Sequence, residues 1–303
     1  MPSKAEEAEL LMKSAKKHQS KSITKWSADW DSAATDFEKA AQIYTHLGIV
    51  PMAKEAWLSA SNAHEKAKNL FFAAKSLEFL ANFLKEQEGL MSDPAGLAEV
   101  TKVYVRASRI YALDNKPDRQ ADALTKAARV APASEADSSA KLIVQALDAL
   151  EDSNKHHSTP DLYRGLILLQ VRASKILDAI TTLKRHVKAL EKLEQHQNGA
   201  KAGLEIIILC LSLGDWVLAD REFKALQDSY GFAHSKEQSS AYSLLSCLEE
   251  RDAEGLKEAL KDTTFQFLIP EIGKMAKKIT IGGVANVKKK AGVAQPVDDD
   301  DMK

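Results

Sequence analysis

The sequence predicts an all-α protein, a solenoid of tetratricopeptide-like helical hairpins (a twisted helical sheet) closed by a C-terminal helical bundle. Three observations carry that prediction. Apolar residues recur at three- and four-residue spacing through almost the whole chain, one buried helix face after another. The breaks between these runs are only a few residues long, so consecutive helices pack as antiparallel neighbours. Helices begin roughly every 20 residues, which sets a hairpin period near 40, within the range of helical-hairpin repeats. Glycine and proline agree: 13 and 8 among 303 residues are too few turn formers for a sandwich or barrel of many short strands. A single globular helical bundle is the alternative reading of the same periodicity.

The elements follow in order. Ala33, Ala34, Phe37, Ala40, Ala41 and Tyr44 share one face. Ala53, Ala56, Trp57, Ala60 and Ala63 repeat the pattern, and so do Ala73, Ala74, Leu77, Leu80, Ala81 and Leu84. Val100, Tyr104, Ala107 and Tyr111 follow, then Ala121, Leu124 and Ala127, then Ile143, Val144, Leu147 and Leu150. Alanine lets helix backbones approach, and each large residue fills a gap on the facing helix. The junctions Gly48 to Pro51, Ser92-Asp93-Pro94, Asn115-Lys116-Pro117, Ala131-Pro132, Ser158-Thr159-Pro160 and Gly214-Asp215 supply stops and starts. Proline suits a first helical turn because its φ is fixed and its missing donor is not needed there. From Ser235 to Glu250 one helix places Ala241, Leu244, Leu245 and Leu248 inward. Phe265, Phe267, Leu268, Ile269, Ile272, Met275 and Ile279 form a dense apolar cluster, in which Pro270 demands a kink or a helix start. The expected division is a solenoid over 1–230, a closing bundle over 231–280 that caps the last hairpin, and a mobile tail over 281–303. That tail carries Lys288 to Lys290 and then Asp298 to Asp301, without periodicity.

The chemistry is that of a binding protein. Lys and Arg total 42 against 43 Asp and Glu, for a net charge of -1, which lacks the bias of a dedicated nucleic-acid binder. No dinucleotide, phosphate-loop, zinc-protease or nucleophile-elbow motif occurs. Cys210 and Cys247 cannot build a disulfide framework or a cysteine-rich zinc site. His156 and His157 are adjacent in a polar stretch and read as a solvated turn rather than a ligand pair. No catalysis, cofactor, metal or small-molecule substrate is expected. The longest apolar run, Ile206 to Leu213, is far below the roughly 18 residues of a membrane span. Nothing after Met1 resembles a secretory signal, and the chain reads as a soluble protein of a reducing compartment.

One segment stands out. Between Lys21 and Trp30 an isoleucine and two tryptophans, Ile23, Trp26 and Trp30, lie among lysines. Tryptophan suits a bilayer interface, and Lys17, Lys21 and Lys25 would add attraction to anionic headgroups. Packing at the start of the next helix is the other reading, adopted for Trp30 and left open for Trp26. Basic residues such as Lys54, Lys75, Arg106, Lys126 and Arg172 are spread over most helices. They read as solvated side chains or as the lining of a face for an acidic helical partner.

The run Lys25-Trp26…Trp30-Asp31-Ser32-Ala33-Ala34…Phe37-Glu38-Lys39-Ala40-Ala41, followed by Ala63-His64-Glu65…Leu70-Phe71-Phe72-Ala73-Ala74-Lys75, resembles the N-terminal hairpins of soluble NSF attachment proteins, the SNAP family. The gamma type of that family is the nearer match. It carries the same tryptophan-aspartate run and a glycine-rich, triple-lysine segment before an acidic tail, here Gly282-Gly283, Lys288-Lys289-Lys290 and Asp298 to Asp301. Leu244-Leu245…Leu248-Glu249-Glu250 resembles the family's C-terminal bundle.

The resemblance implies a non-catalytic adaptor that binds assembled SNARE complexes with syntaxin-like subunits. It would recruit the NSF ATPase for their disassembly in vesicle fusion and ER–Golgi and other membrane traffic. It further implies a cytoplasmic protein, peripheral on membranes of the secretory and endosomal pathway. Glu249 and Glu250 would then face NSF. Met302 would stand where the alpha type has a penultimate leucine, a swap of similar volume. Ile23 and Trp26 would touch the membrane surface weakly, in a loop lacking the Phe-Phe pair of the alpha type. A tetratricopeptide-type co-chaperone or assembly scaffold binding acidic peptides is the alternative; its carboxylate clamp needs paired asparagines on successive inner helix faces, whereas Asn62 and Asn69 stand in different helices or at a junction.

Overall fold

The computed structural model describes residues 3–20, 27–229 and 231–284. Among them run fifteen α-helices, joined by short turns and with no strand. The chain divides into two compact units, Met1–Leu162 and Tyr163–Lys303.

The first unit holds α1 (Lys4–Gln19), α2 (Trp30–His46), α3 (Val50–Lys66), α4 (Leu70–Lys85), α5 (Glu88–Met91), α6 (Pro94–Leu113), α7 (Pro117–Val130) and α8 (Ala136–Asp152). Ser3 and Glu6 close a reciprocal capping box on α1, and Asp29 and Asp93 cap α2 and α6 through the N–H groups of Ser32 and Gly96. These side chains satisfy donors that a helix start leaves orphaned. Pro94 and Pro117 stand in first turns. Each long helix packs on the next, and the faces read from the alternation of alanine with large residues are buried: Ala33, Ala34, Phe37, Ala40, Ala41 and Tyr44 on α2, for example. Trp30 packs against that core.

Polar contacts join every second helix. In one layer Lys16 of α1 meets Glu55 of α3 at 3.2 Å, Lys54 of α3 pairs with Glu99 of α6, and Arg106 of α6 returns to Glu65 of α3 at 2.6 Å. In the other, the Glu38 carboxylate of α2 accepts from Ser76 of α4 at 3.1 Å. Glu78 of α4 there receives Lys126 of α7 at 3.0 Å. The helices therefore form two layers, α1, α3, α6 and α2, α4, α7. The partners are 38 to 48 residues apart, which is the hairpin repeat expressed as contacts.

The corners share one backbone device. Gly48, Lys68, Asn115, Asn154, Ser174, Glu194, Gly214 and Arg251 all adopt positive φ, between 53° and 76°. After each, the next N–H bonds to the carbonyl five residues back, as Asn69 does to His64 (2.9 Å) and Gln195 to Leu190 (2.9 Å). This is the Schellman closure of a helix C-terminus.

In the second unit, α9 (Pro160–Arg172) opens at the boundary, followed by α10 (Ile176–Lys192), α11 (His196–Ser212), α12 (Trp216–Leu226), α13 (Lys236–Glu250), α14 (Ala253–Ala259) and α15 (Pro270–Ala276). Helix α11 is the axle. Every residue from Ala202 to Leu211 is buried, and α10, α12, α13 and α15 pack around it. Gly203 admits the Phe232 ring, because a Cβ there would stand 2.5 Å from it. Glu205 is the charged exception in this buried stretch, and its Oε1 accepts the Ile269 N–H at 2.6 Å. Pro270 thus starts a helix rather than kinking one. Phe267, grouped by sequence with the inward cluster, points out and is 62% exposed. It ends a 3₁₀ turn, Thr263–Phe267, whose tight backbone turns Phe265 inward and Phe267 to the surface, where the Lys201 ammonium lies 5.7 Å from its ring.

Candidate docking surfaces

Helix α4 buries Leu77, Leu80, Ala81 and Leu84 and leaves Phe72, Lys75 and Phe79 on its outer face. The two rings are 53% and 46% exposed, yet they are held in place. Phe79 stacks on the buried Trp57 of α3 at 5.3 Å and 27°, and Phe72 lies 5.7 Å from the His64 ring. Trp57 in turn donates its indole N–H to Thr45 of α2 at 3.0 Å, and His64 Nε2 meets Glu38 at 3.0 Å. Between the aromatics the Lys75 ammonium sits 5.7 Å from the Phe71 ring and 5.9 Å from the Phe79 ring. The arrangement is a buttressed stripe that offers apolar area and one positive charge.

The other basic residues sort by their partners. Lys54, Arg106 and Lys126 hold the layers together through Glu99, Glu65 and Glu78. Within the second unit Arg172 of α9 clamps Glu271 of α15 at 2.6 Å. Lys66, Lys75, Lys102, Arg109 and Arg129 are exposed and make no ion pair among the described residues. Asn62 accepts from Arg106 at 2.6 Å and Asn69 donates to Asp31 at 2.6 Å. Both asparagines are therefore spent on contacts between neighbouring repeats, not gathered into a carboxylate clamp.

A second surface lies where α13 ends. Glu249 is partly buried and Glu250 is exposed; Arg251 turns the chain through φ 58° and Asp252 caps α14 through the Gly255 N–H at 2.9 Å. Glu254, in the first turn of α14, adds a further carboxylate. The corner presents the Glu249 and Glu250 carboxylates beside the exposed Arg251 on a fixed backbone, with Glu254 paired to Lys257 at 2.8 Å. Ile23, Trp26 and Met302 lie outside the described residues.

The described residues contain no group of three or more His, Cys, Asp or Glu placed to hold a metal ion, and no helix long and apolar enough to cross a membrane. Cys210 is buried, and burial pushes its thiol up to about 12, far from the thiolate character a nucleophile needs. His186 is buried against the Tyr163 ring at 4.9 Å and 19°. Burial first, and the Arg164 charge second, push its imidazole down to about 4.

Known proteins resemble this chain along its length. The family model for soluble NSF attachment protein, SNAP, matches residues 5–265. The gamma-soluble NSF attachment protein of Dictyostelium discoideum is 27% identical over 275 residues, covering 91% of this chain and 83% of its own. Its Arabidopsis thaliana counterpart is 28% identical over 292 residues, covering 96% and 97%. A solved structure, BtubC (BKLC) from P. vanneervenii, covers 94% of this chain and 96% of its own at 14% identity, with a TM-score of 0.27, too low to bear on the fold.

Proposed function

Because this chain belongs to the soluble NSF attachment protein family, we propose that it is a non-catalytic adaptor that binds assembled SNARE complexes and recruits the NSF ATPase. NSF then takes the complexes apart in vesicle fusion and intracellular membrane traffic. The observation that carries this reading is the outer stripe of α4, Phe72, Lys75 and Phe79, buttressed by Trp57 and His64. A SNARE bundle is an acidic rod of helices. A rigid aromatic and cationic stripe can lie along such a rod without a deep pocket, and Lys66, Lys102, Arg109 and Arg129 add further positive charge. Binding built from many such contacts is salt-sensitive.

In this reading residues 1–230 form the SNARE-binding solenoid, and residues 231–280 are the module offered to NSF. Glu249 and Glu250 at the α13 corner, with Met302 beyond, make the NSF contact. Ile23 and Trp26 lend a weak membrane contact, and the protein works peripherally on the cytoplasmic face of secretory and endosomal membranes. ATP hydrolysis belongs to NSF, and this chain contributes geometry and charge. The use of Asn62 and Asn69 between repeats weighs against the peptide-clamp alternative.

The test is reconstitution from purified parts: this protein, an assembled SNARE bundle and ATP-locked NSF, at low and moderate salt. A ternary complex that requires the SNARE bundle and weakens with salt is expected. Its absence at both salt concentrations overturns the proposal.

A further inference from the structure

A groove of about 700 Å³ opens in the second unit between α14, the 3₁₀ turn Thr263–Phe267 and α15. Its floor is apolar, formed by the buried Phe265 and Leu268. Gly273 keeps one wall bare, since a Cβ there would stand 3.1 Å from the Phe265 carbonyl oxygen. The rim is basic: Lys257, Lys261, Lys274 and Lys277. Among the lining residues the carboxylate is that of Asp262, and it is turned to the Thr264 N–H at 2.8 Å. Lys257 and Lys261 are shared with Glu254 and Glu258 in exposed pairs along α14. Lys274 and Lys277 make no ion pair among the described residues. This is a concentration of positive charge over apolar surface in a chain whose net charge is -1.

The complementary charge lies in the same chain. Asp298 to Asp301 is its longest acidic run, and the apolar Met302 follows directly. The last described stretch, Ile279 to Val284, lies against Leu211 and Met275, beside the end of α15. From Val284 to Asp298 is 298 − 284 = 14 residues, which span about 46 Å extended and about 20 Å as a relaxed coil. Either length reaches back along a seven-residue helix such as α15. A tether of this size holds the segment at an effective concentration on the order of millimolar, so even weak charge pairing is populated. Lys288 to Lys290 offers a rival partner inside the tail, but without an apolar floor for the methionine.

We propose that Asp298–Asp301 docks on the Lys274 and Lys277 side of this groove, with Met302 over Phe265 and Leu268. The tail then acts as a tethered, salt-sensitive occupant of the C-terminal bundle. The docked segment neutralises Lys274 and Lys277, the two groove lysines that make no ion pair among the described residues. The contact needs neither SNAREs nor NSF and is tested on the protein alone; while docked it withholds Met302 from the NSF contact proposed above, which then requires the tail to leave the groove.

Zero-length carbodiimide coupling of the full-length protein, read by peptide mapping, tests it. A mixture of isotopically light and heavy chains separates links within a chain from links between chains. Intrachain links from Asp298–Asp301 to Lys274 or Lys277 are expected, at a yield on the order of a hundredfold or more above that given by a micromolar tail peptide added to the protein, since a millimolar effective concentration is about a thousandfold higher. High salt should abolish them, and so should Lys274→Gln with Lys277→Gln, a change at exposed positions. Replacing both lysines by glutamate while Asp298 to Asp301 become lysine should restore coupling with reversed polarity. Links confined to Lys288–Lys290, links spread evenly over the exposed lysines, or yields no better than the added peptide each overturn the docking.

Discussion

Glu205 Oε1 and the backbone N–H of Ile269 form a 2.6 Å hydrogen bond that joins the buried axle α11 to the residue opening α15. Burial raises the Glu205 carboxyl from 4.5 to about 7, against the lowering effects of the Ile269 bond, Arg164 and Lys201. The native state thus keeps a proton that the unfolded state releases. Its contribution to stability is full below about 4.5 and is lost as pH rises through about 7. His186 has the opposite sign: its contribution is full above 6.5 and is lost as pH falls through about 4. Between about 4.5 and 6.5 the two slopes oppose each other. Glu205→Gln retains an acceptor for Ile269 and removes the titration. It should leave a rise in stability from pH 4 to 6.5 due to His186, and should gain roughly 2–3 kcal/mol over the parent at pH 8. Urea unfolding across pH is the measurement; a variant whose pH profile matches the parent refutes the assignment.

Tyr111 donates its hydroxyl to the buried Glu78 carboxylate at 2.6 Å, while Lys126 holds the other oxygen at 3.0 Å. Burial, and then the Glu78 bond, raise the tyrosine pKa. Tyr111→Phe should cost about 1.5–3 kcal/mol, the range for hydrogen bonds to charged groups. Hydrogen exchange should show α4, α6 and α7 loosening together. A loss below about 0.5 kcal/mol would mean that the pair contributes no more than a surface contact.

Substitutions on the α4 stripe should separate recognition from stability. Phe72→Ser with Lys75→Glu removes exposed groups, so the melting temperature should move little. SNARE-bundle affinity should fall at least about tenfold, roughly 1.4 kcal/mol. Calorimetric titration against an assembled bundle reads the affinity, and unchanged binding would shift the SNARE surface away from α4.

Glu249→Lys with Glu250→Lys should abolish NSF recruitment while sparing SNARE binding, because the pair closes α13, with Glu249 partly buried and Glu250 exposed, in the second unit and away from the α4 stripe of the first. Co-sedimentation with NSF in the presence of SNAREs checks this, and recruitment at the parent level removes the pair from the interface.

Trp26→Ala should weaken association with anionic liposomes without lowering helicity. A drop in thermal stability instead would make Trp26 a packing residue.

The alanine-rich inward stripes of α2, α3 and α4 were legible because periodicity and burial report the same thing: Ala53, Ala56, Trp57, Ala60 and Ala63 are buried as their spacing requires, whereas the buried His64, Ser76, Glu78 and Phe83 beside them were not. The start of α15 at Pro270 was legible because a missing N–H narrows the options. Phe267 was misplaced because a 3₁₀ turn breaks the helical period on which its inward placement relied. The partners of Lys54, Arg106 and Lys126 were hidden, since such pairs depend on the register of helices a full repeat apart. The α4 stripe left a trace in the sequence: Phe72 and Phe79 fall off the inward set of α4 and flank a lysine. What it lacked was the knowledge that Trp57 and His64 hold the rings from below.

The Schellman corners bear on how much stability this chain holds in reserve. Lys68, Ser174 and Glu194 carry side chains in a left-handed conformation that glycine adopts freely, and all three are exposed. Glycine at each should gain up to about 1 kcal/mol, and changes so far apart should add. None of the three belongs to the α4 stripe, the α13 corner or the lysine groove. Thermal headroom can therefore be raised in steps while those three surfaces keep their side chains.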